Sequence, residues 1–291
     1  MREFVRSAIE RHDTALVAKA GFERMFPSIL TTGPWHETTS AFLLTVVAGL
    51  ALIKVELGSA DFHTKCEEKQ VMHTVTKNRI RGILGLYGLS VMVWMRNLVG
   101  ISVIVSYTMQ SWMICTTRYC AGYMASLLSD NSPWKKRLTA LDEGLRFPSL
   151  VQNTTTFAVW WMVLTPILLL SLKNGDQRKQ FMKWNTSPFL LTVHGLNLPF
   201  AVADHLMSPR SLCKHDLFSG VALSVSYLLF YLEVLDRNGL HLYIILSPRT
   251  RFAPFVYGAI IHSYISCWRF YDKLGKHFAR KDFPNKEVKE T

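Results

Sequence analysis

The sequence predicts an all-α fold: a polytopic transmembrane helical bundle with six core spans, plus an N-terminal span or interfacial helix. The first observation is that the hydrophobic residues, 49% of a 291-residue chain, come in blocks and not at amphipathic spacing. The second is block length, because an α-helix needs about 20 residues to cross about 30 Å of hydrocarbon. The third is that residues 157–172, FAVWWMVLTPILLLSL, carry no charge. The blocks are 41–57, 82–95, 98–117, 155–172, 188–203, 217–235 and 252–268.

The N-terminal part of the chain is less regular. Block 41–57 carries Lys54 and Glu56 near its end, so it either spans the membrane with Lys54 reaching the interface or lies in the interface. The residues before it mix apolar and charged side chains, which suits an amphipathic helix on a membrane surface. The chain therefore divides into an N-terminal extension (1–80), a six-span membrane domain (81–270) and a basic C-terminal tail (271–291).

Two polar residues, Arg96 and Asn97, interrupt the apolar stretch 82–117. We expect one span to end near Asn97, the chain to turn back, and a second span to cover about 104–128. That span would place Arg118 inside the bundle, where an arginine must pair or reach water. The charged stretches further along are predicted to be loops. These are 129–154 and 173–187.

The net charge of +12 belongs to the stretches between the apolar blocks and to the tail. No stretch interleaves aromatic residues with Lys and Arg on a soluble module, so nucleic acid is not an expected partner. Basic residues beside an anionic leaflet explain the charge, and the tail is expected on the cytosolic or matrix side. The expected partners are membrane lipids and protein partners in a membrane complex. The expected location is an endomembrane or the plasma membrane, with the mitochondrial inner membrane as the alternative.

The five cysteines form no CxxC pair and no zinc spacing. Three of them lie in or at the ends of apolar blocks, where cysteine packs as a small hydrophobic residue. A metal site at His194 and Asp204 needs a third ligand, and nothing in the sequence aligns His215 or His262 with them. The sequence therefore predicts no disulfide framework, no metal site and no cofactor.

The segment LTVHGLNLPFAVADHLM (191–207) carries polar groups within a mostly apolar run. On an α-helix, His194 and Asn197 share nearly one face. Pro199 cannot donate a hydrogen bond to the carbonyl of Gly195, so the helix is expected to be bent or opened beside His194. An unsatisfied imidazole facing lipid costs on the order of several kcal/mol, so His194 is expected to face the bundle interior.

From spacing alone, His194 is either a general base or a packing residue bonded to a neighbouring carbonyl. Asp204 and His205 lie near the end of the same helix. A position in water or among lipid headgroups is expected for both.

Two motifs carry a resemblance to a known family. HGLNLPF (194–200) is followed by an acidic residue and, after one further span, by NGLHLYIIL (238–246). The chain resembles the androgen-induced and androgen-dependent TFPI-regulating family of six-span membrane proteins over roughly residues 80–270. It departs from the family pattern at His241 and Ile244, where Trp and Pro are usual. The matching residues are His194, Leu198, Pro199, Phe200, Asp204, Gly239, Tyr243 and Leu246.

The resemblance implies a membrane threonine hydrolase that cleaves fatty-acid esters of hydroxy fatty acids. It implies that His194 is the base and that Thr108, at the start of a span, is the nucleophile, with Thr116 and Thr117 as alternatives. A hydroxyl becomes a good nucleophile only when a base within about 3 Å takes its proton. Without the resemblance, a helix-start threonine that bonds its own backbone explains Thr108.

Further residues are candidates for binding substrate. Asn197 and Ser111 are candidate donors to the oxyanion of the transition state. Asp204 is a candidate to orient a histidine or line the substrate path. Arg118 is a candidate to bind a fatty-acid carboxylate, but an ion pair with Glu233 is our preferred interpretation.

Two other classes of function compete with the hydrolase. One is a scaffold or accessory subunit of a larger membrane complex, which the altered surroundings of Thr108 and the residue His241 favour. The other is a transporter or channel, for which the polar steps inside the membrane would be Arg96, Arg118, Glu233 and His194. The lack of inverted repeats argues against transport.

Overall fold

The structure, a computed structural model, describes residues 74–172, 174–207, 210–235 and 253–281. All secondary-structure elements in these ranges are helices, so the all-α prediction is confirmed for the described part of the chain. The predicted span 41–57 and the motif 238–246 lie outside the described residues.

The first two helices cover the residues of the two spans expected within 82–128, and their crossing of a membrane stays a prediction. Helix α1 (Thr74–Val99) leads through a 3-10 segment (Gly100–Val105) into α2 (Tyr107–Leu127). Helix α1 ends at Val99, two residues beyond Asn97, where the first span was expected to end. Gly100 has a φ of 66°, a left-handed conformation that glycine adopts without strain, and this residue starts the turn.

The predicted loop 129–154 is wrong. It contains α3 (Pro133–Gly144) and the beginning of α4 (Arg146–Ala158), with a single residue, Leu145, between them. Pro133 and Pro148 do not break these helices, because both lie in a first turn, where a backbone N–H has no partner within the helix.

Helix α4 continues through a π-helical segment (Val159–Leu164) into α5 (Thr165–Ser171). The predicted loop 173–187 is also wrong, because it holds α6 (Gly175–Asn185). The side chain of Asn174 accepts a hydrogen bond from the Asp176 N–H at 3.0 Å and caps this helix.

The His194 segment forms one interrupted helix. It begins with α7 (Pro188–Leu191), passes through a π-helical segment (Thr192–Leu196) and continues as α8 (Asn197–Met207). The opening expected beside His194 is confirmed, because the π-helical segment contains that residue. Two further helices complete the described fold. They are α9 (Lys214–Phe230), extended by a π-helical segment (Tyr231–Leu235), and α10 (Ala253–Lys281).

Helix α2 lies at the centre of the packing. It packs along α1 and also contacts α3 and α4, and α4 in turn packs against α8 and α9. Glycines allow the closest approaches. A Cβ on Gly220 of α9 would lie 2.7 Å from Cδ1 of Phe147, and a Cβ on Gly88 of α1 would overlap the side chain of Thr116.

The outer surface of the described helices is rich in apolar side chains. One helical run, Pro133–Leu170, is long and apolar enough to cross a membrane by length and composition. Large exposed apolar patches mark interaction surfaces, which include membrane contacts. The six-span arrangement stays a prediction. Outward-facing apolar side chains include Ile83, Leu86, Leu89, Val93, Leu98, Met124, Leu127, Met162 and Leu170.

Candidate functional site

Four charged side chains form a closed ring inside the bundle, here called the ion-pair ring. Its members are Arg81 of α1, Arg118 of α2, Asp142 of α3 and Asp204 of α8, and all four are buried. Arg81 contacts Asp142 (Nη1–Oδ2, 2.6 Å) and Asp204 (Nε–Oδ1, 2.6 Å). Arg118 also contacts Asp142 (Nε–Oδ1, 3.1 Å) and Asp204 (Nη1–Oδ2, 2.7 Å). The ring is electrically neutral and connects four helices.

Burial explains why these residues form a ring and not separate pairs. Removing an ion from water costs on the order of several kcal/mol, and only close partners with further hydrogen bonds offset that cost. Each carboxylate in the ring therefore forms ion pairs with two guanidinium groups. Within the described structure, Nη2 of Arg118 is buried without a hydrogen-bond partner.

The expectation that Asp204 and His205 contact water or headgroups is wrong, since both are fully buried. Asp204 belongs to the ring. The Nε2 atom of His205 lies 3.2 Å from the backbone carbonyl of Tyr271, so Nε2 carries the proton in this hydrogen bond and donates it. The prediction was wrong because α10 and α1 cover the end of α8, and the sequence of α8 alone does not show which other helices pack against it.

A second charged chain lies beside the ring. Arg146 donates to Glu143 (Nη2–Oε1, 2.6 Å), and Arg210 donates to the same carboxylate (Nε–Oε2, 2.8 Å). Arg210 also binds both carboxylate oxygens of Asp216, each at 2.8 Å. Burial lowers the pKa of Lys77, which precedes the apolar block of α1, to about 8, and repulsion from nearby arginines adds to the shift. This end of the bundle is therefore a layer of closely paired charge.

The imidazole of His194 stacks on the indole of Trp160, with ring centroids 3.9 Å apart and an interplanar angle of 5°. The backbone carbonyl of His194 accepts a hydrogen bond from Nε1 of Trp161 at 3.0 Å. The π-helical segment around His194 supplies that carbonyl, because the wider turn displaces a carbonyl from its usual partner. The Nδ1 atom of His194 is buried and has no hydrogen-bond partner among the described residues.

Thr108 lies in the first turn of α2, with 7% of its surface exposed. Its backbone carbonyl accepts a hydrogen bond from the Ser111 hydroxyl at 2.7 Å, and Ser111 accepts one from the Thr156 hydroxyl of α4 at 3.3 Å. Within the described structure, no hydrogen bond joins Thr108 to His194. The indole of Trp112 brings the two elements into contact, since its Nε1 donates to the carbonyl of Val193 at 3.1 Å.

The ring fixes the heights of Thr108 and His194 along the bundle. Thr108 precedes Arg118 by ten residues, and His194 precedes Asp204 by ten residues. At 1.5 Å per residue, each lies about 15 Å from the ring in the same direction. Because Arg118 and Asp204 are in contact, the hydroxyl and the imidazole lie at the same level.

The neighbouring helix α4 runs in the opposite direction and supports this register. Arg118 Nη1 lies 3.4 Å from the Ser149 hydroxyl at one end, and Ser111 contacts Thr156 at the other. Seven residues separate the two contacts on each helix. Helices α2 and α4 therefore stay side by side over about 10 Å.

Asn197 lies at the level of Ser111. It precedes Asp204 by seven residues, which is close to two helical turns and puts both on one face of α8. Its Oδ1 accepts from the N–H of Leu198 at 2.9 Å, and its Nδ2 is buried without a partner among the described residues. We call Thr108, Ser111, Thr156, His194 and Asn197 the polar layer.

The polar layer brings together four of the sequence candidates, Thr108, His194, Asn197 and Ser111. Arg118 and Asp204 lie in the ring, about 10 Å along the bundle from Ser111 and Asn197 and about 15 Å from Thr108 and His194, and each is the other's partner. Arg118 is thus ion-paired as expected, but with Asp142 and Asp204; the side chain of Glu233 lies outside the described residues.

The alternative threonines have different surroundings. Thr116 is buried against Gly88 of α1, two helical turns nearer the ring than Thr108, and its hydroxyl has no partner among the described residues. Thr117 faces outward. Thr108 is therefore the threonine of α2 that lies nearest the level of His194.

Sequence reasoning missed Arg81, Asp142, Thr156 and Trp160. Arg81 directly precedes the apolar block 82–95 and so resembles an ordinary residue flanking a membrane span. Asp142 lies in a stretch taken for a loop. The uncharged run containing Trp160 gave no signal beyond its hydrophobicity.

Among the described residues, no group of three or more His, Cys, Asp or Glu side chains is arranged to hold a metal ion. Comparison of the chain with protein-family models, with curated proteins and with solved structures gives no match.

Proposed function

We propose that this chain is a multi-span membrane hydrolase of lipid esters, with Thr108 as nucleophile and His194 as general base. The observation that carries the proposal is the common level of these two residues on adjacent elements of one bundle. The unpartnered Nδ1 of His194 adds support, because it makes no hydrogen bond among the described residues and so is available to accept one from a hydroxyl. The substrate class, fatty-acid esters of hydroxy fatty acids, comes from the motif resemblance.

In the proposed reaction, His194 takes the hydroxyl proton of Thr108 as the threonine oxygen attacks the ester carbonyl. The bond from that carbonyl to the alcohol oxygen breaks, and the imidazolium gives its proton to the departing alcohol. Water, deprotonated by His194, then attacks the carbonyl of the acyl-threonine. The bond from that carbonyl to the threonine oxygen breaks, the imidazolium returns its proton to this oxygen, and the fatty acid is released. The Nδ2 of Asn197 and the hydroxyl of Ser111 are the proposed donors to the oxyanion.

The missing hydrogen bond between Thr108 and His194 is compatible with this chemistry. Catalytic hydrogen bonds are often long in the absence of substrate and shorten in the substrate complex. Rotation of the Thr108 side chain about χ1 moves its hydroxyl without moving the helix.

The membrane location rests on the distribution of polarity. Paired charges lie inside the bundle, whereas large apolar side chains such as Met162 and Leu170 face outward. That distribution suits a bundle surrounded by acyl chains. It also lets a lipid substrate approach the polar layer from the side, without passing through water.

The test is hydrolysis of a fatty-acid ester of a hydroxy fatty acid by the full chain purified in mild detergent. The variants are Thr108→Ala and His194→Ala, and the matched controls are Thr139→Ala and His262→Ala, whose side chains are exposed. We expect both site variants to lose roughly a hundredfold to ten-thousandfold in rate, the range for removal of a general base, while the controls keep wild-type rates. Unchanged hydrolysis by His194→Ala would remove the proposal.

A second candidate is a non-catalytic scaffold or accessory subunit of a membrane complex, the mitochondrial inner membrane being one location for it. The observation that favours it is that Asp204 and Arg118 are paired with each other in the ion-pair ring. Purification in mild detergent separates the two candidates. Stable co-migration with a larger complex, without turnover of any lipid ester, supports the scaffold, and turnover that depends on Thr108 contradicts it.

A further inference from the structure

A groove of about 400 Å³ lies between α1 and α2, on the outside of the bundle and apart from the polar layer. Its volume is within the range of small-molecule and cofactor sites, about 300–1,000 Å³. Its walls are almost entirely apolar. They are formed mainly by Ile83, Leu86, Leu89, Tyr123 and Met124.

Two glycines of α1 form the floor of the groove, where α1 lies against α2. A Cβ on Gly82 would lie 3.1 Å from Cε2 of Tyr123, and a Cβ on Gly85 would lie 3.0 Å from Sγ of Cys120. Because these positions have no side chain, the larger apolar residues beside them become the groove walls. A long, thin apolar ligand fits this shape better than a broad one.

Arg79 and Arg81 lie at one end of the groove. The charge of Arg81 is neutralised by Asp142 and Asp204 in the ring. Arg79 is exposed and makes no ion pair with the described residues. The groove therefore combines one available positive charge with an apolar length of about 10 Å, from Gly82 to Leu89 along α1.

We propose that this groove binds an anionic phospholipid, with an acyl chain along α1 and α2 and the headgroup phosphate at Arg79. The proposal depends on the membrane location given above and not on ester hydrolysis. Arg79 precedes the apolar block 82–95, so it lies where the hydrocarbon region gives way to headgroups. A guanidinium donates two parallel hydrogen bonds to a phosphate. Phosphatidylcholine carries the same phosphate, but its quaternary ammonium cancels the negative charge, so the positive charge of Arg79 favours a headgroup with a net negative charge.

The chemistry excludes closely related occupants. A free phosphate would leave the apolar wall unused, and a lipid without a phosphate would leave Arg79 without a partner. A helix from another protein would need a broader contact surface than this groove offers, because Tyr123 borders the groove on one side and Leu86 on the other.

The first test is photolabelling. The full chain in vesicles of phosphatidylcholine and phosphatidylglycerol is irradiated with a phosphatidylglycerol that carries a diazirine in its acyl chain. We expect the adducts on peptides containing residues 82–89 and 123–124. Adducts spread evenly over the outward faces of all helices would overturn the proposal, since they would indicate ordinary contact with bulk lipid.

The second test measures lipid retained by protein purified in detergent. Arg79→Gln is expected to reduce retained phosphatidylglycerol about fivefold, the effect of one basic residue near an anionic surface, and to leave phosphatidylcholine unchanged. Lys136→Gln, which removes an exposed lysine of α3, is the matched control and should retain both lipids. Equal retention by Arg79→Gln and wild type would overturn the headgroup assignment.

Leu86→Trp tests the acyl-chain part independently of charge. Leu86 is 70% exposed, so a larger side chain can fill the groove without disturbing the core, and we expect reduced retention of both lipids. Leu127→Trp, at an exposed position outside the groove, is its control. Extraction with alkaline carbonate keeps the two proposals separate. A chain that stays in the membrane but shows no effect of either groove variant overturns the groove alone, whereas a chain that is extracted overturns the membrane location.

Discussion

The substitution Asp204→Asn tests whether the ion-pair ring stabilises the fold. In the ring, Asp204 accepts two charge-assisted hydrogen bonds from Arg81, from Nε (2.6 Å) and Nη2 (3.2 Å), and forms an ion pair with Nη1 of Arg118 (2.7 Å). Asparagine has nearly the same size but no charge. Two buried guanidinium groups would then share the single carboxylate of Asp142.

The expected loss of stability is about 3–5 kcal/mol, because removing one partner of a buried ion pair leaves a charge without compensation. At roughly 2–4 °C per kcal/mol, the midpoint of thermal unfolding in detergent should fall by about 6–20 °C. The control is Asp130→Asn, whose carboxylate is exposed and contacts Lys135, and which should leave the midpoint unchanged.

A double-mutant cycle refines the experiment. Arg118→Met together with Asp204→Asn restores neutrality, since Arg81 and Asp142 remain as a pair. We expect the double variant to be more stable than the sum of the single variants predicts, by about 0.5–3 kcal/mol. A loss below about 1 kcal/mol for Asp204→Asn, or strictly additive effects, would refute the account of the ring.

Two further predictions concern the same end of the bundle. A Cβ on Gly122 would overlap Nη1 of Arg81, so Gly122→Ala should lower the midpoint of thermal unfolding. Gly175 has open space around it, so the control Gly175→Ala should leave the midpoint unchanged. Equal midpoints for the two variants would contradict the packing of α1 on α2. With its pKa lowered to about 8, about half of Lys77 is uncharged at pH 8, against roughly 0.3% for an ordinary lysine. An amine-reactive ester should therefore label Lys77 before the exposed Lys136. A midpoint above pH 10 for the labelling of Lys77 would contradict this.

The helices formed by the apolar blocks were predictable, because the length and polarity of each block are local properties of the sequence. The turn between α1 and α2 was expected near Asn97 and lies at Gly100. The opening at His194 was also predictable, since the missing N–H of Pro199 acts on the preceding turn.

Helix α3 was not predictable in the same way. Its charged composition is typical of a loop, yet one of its charges, Asp142, turns inward to meet Arg81 and Arg118. Whether a charged residue faces water or a partner depends on elements far away in sequence. Arg81 and Asp204 are 123 positions apart, and no local pattern connects them.

The polar layer shows the same division. The chemistry of His194 and Asn197 was evident from an apolar segment that retains polar groups. Their level relative to Thr108 required the contact between Arg118 and Asp204, which sets the register of α2 against α8. The stacking of His194 on Trp160 joins helices that are separated in the chain, so it had no signal in the sequence.

The measurement that tests the central claim most directly is mass spectrometry of the chain after brief exposure to a reactive short-chain lipid ester. The account predicts an acyl group on Thr108 that is lost in His194→Ala and kept in His262→Ala. An acyl group on Thr108 that forms equally well without His194, or a fully folded chain that acquires none, would contradict the pairing of these two residues.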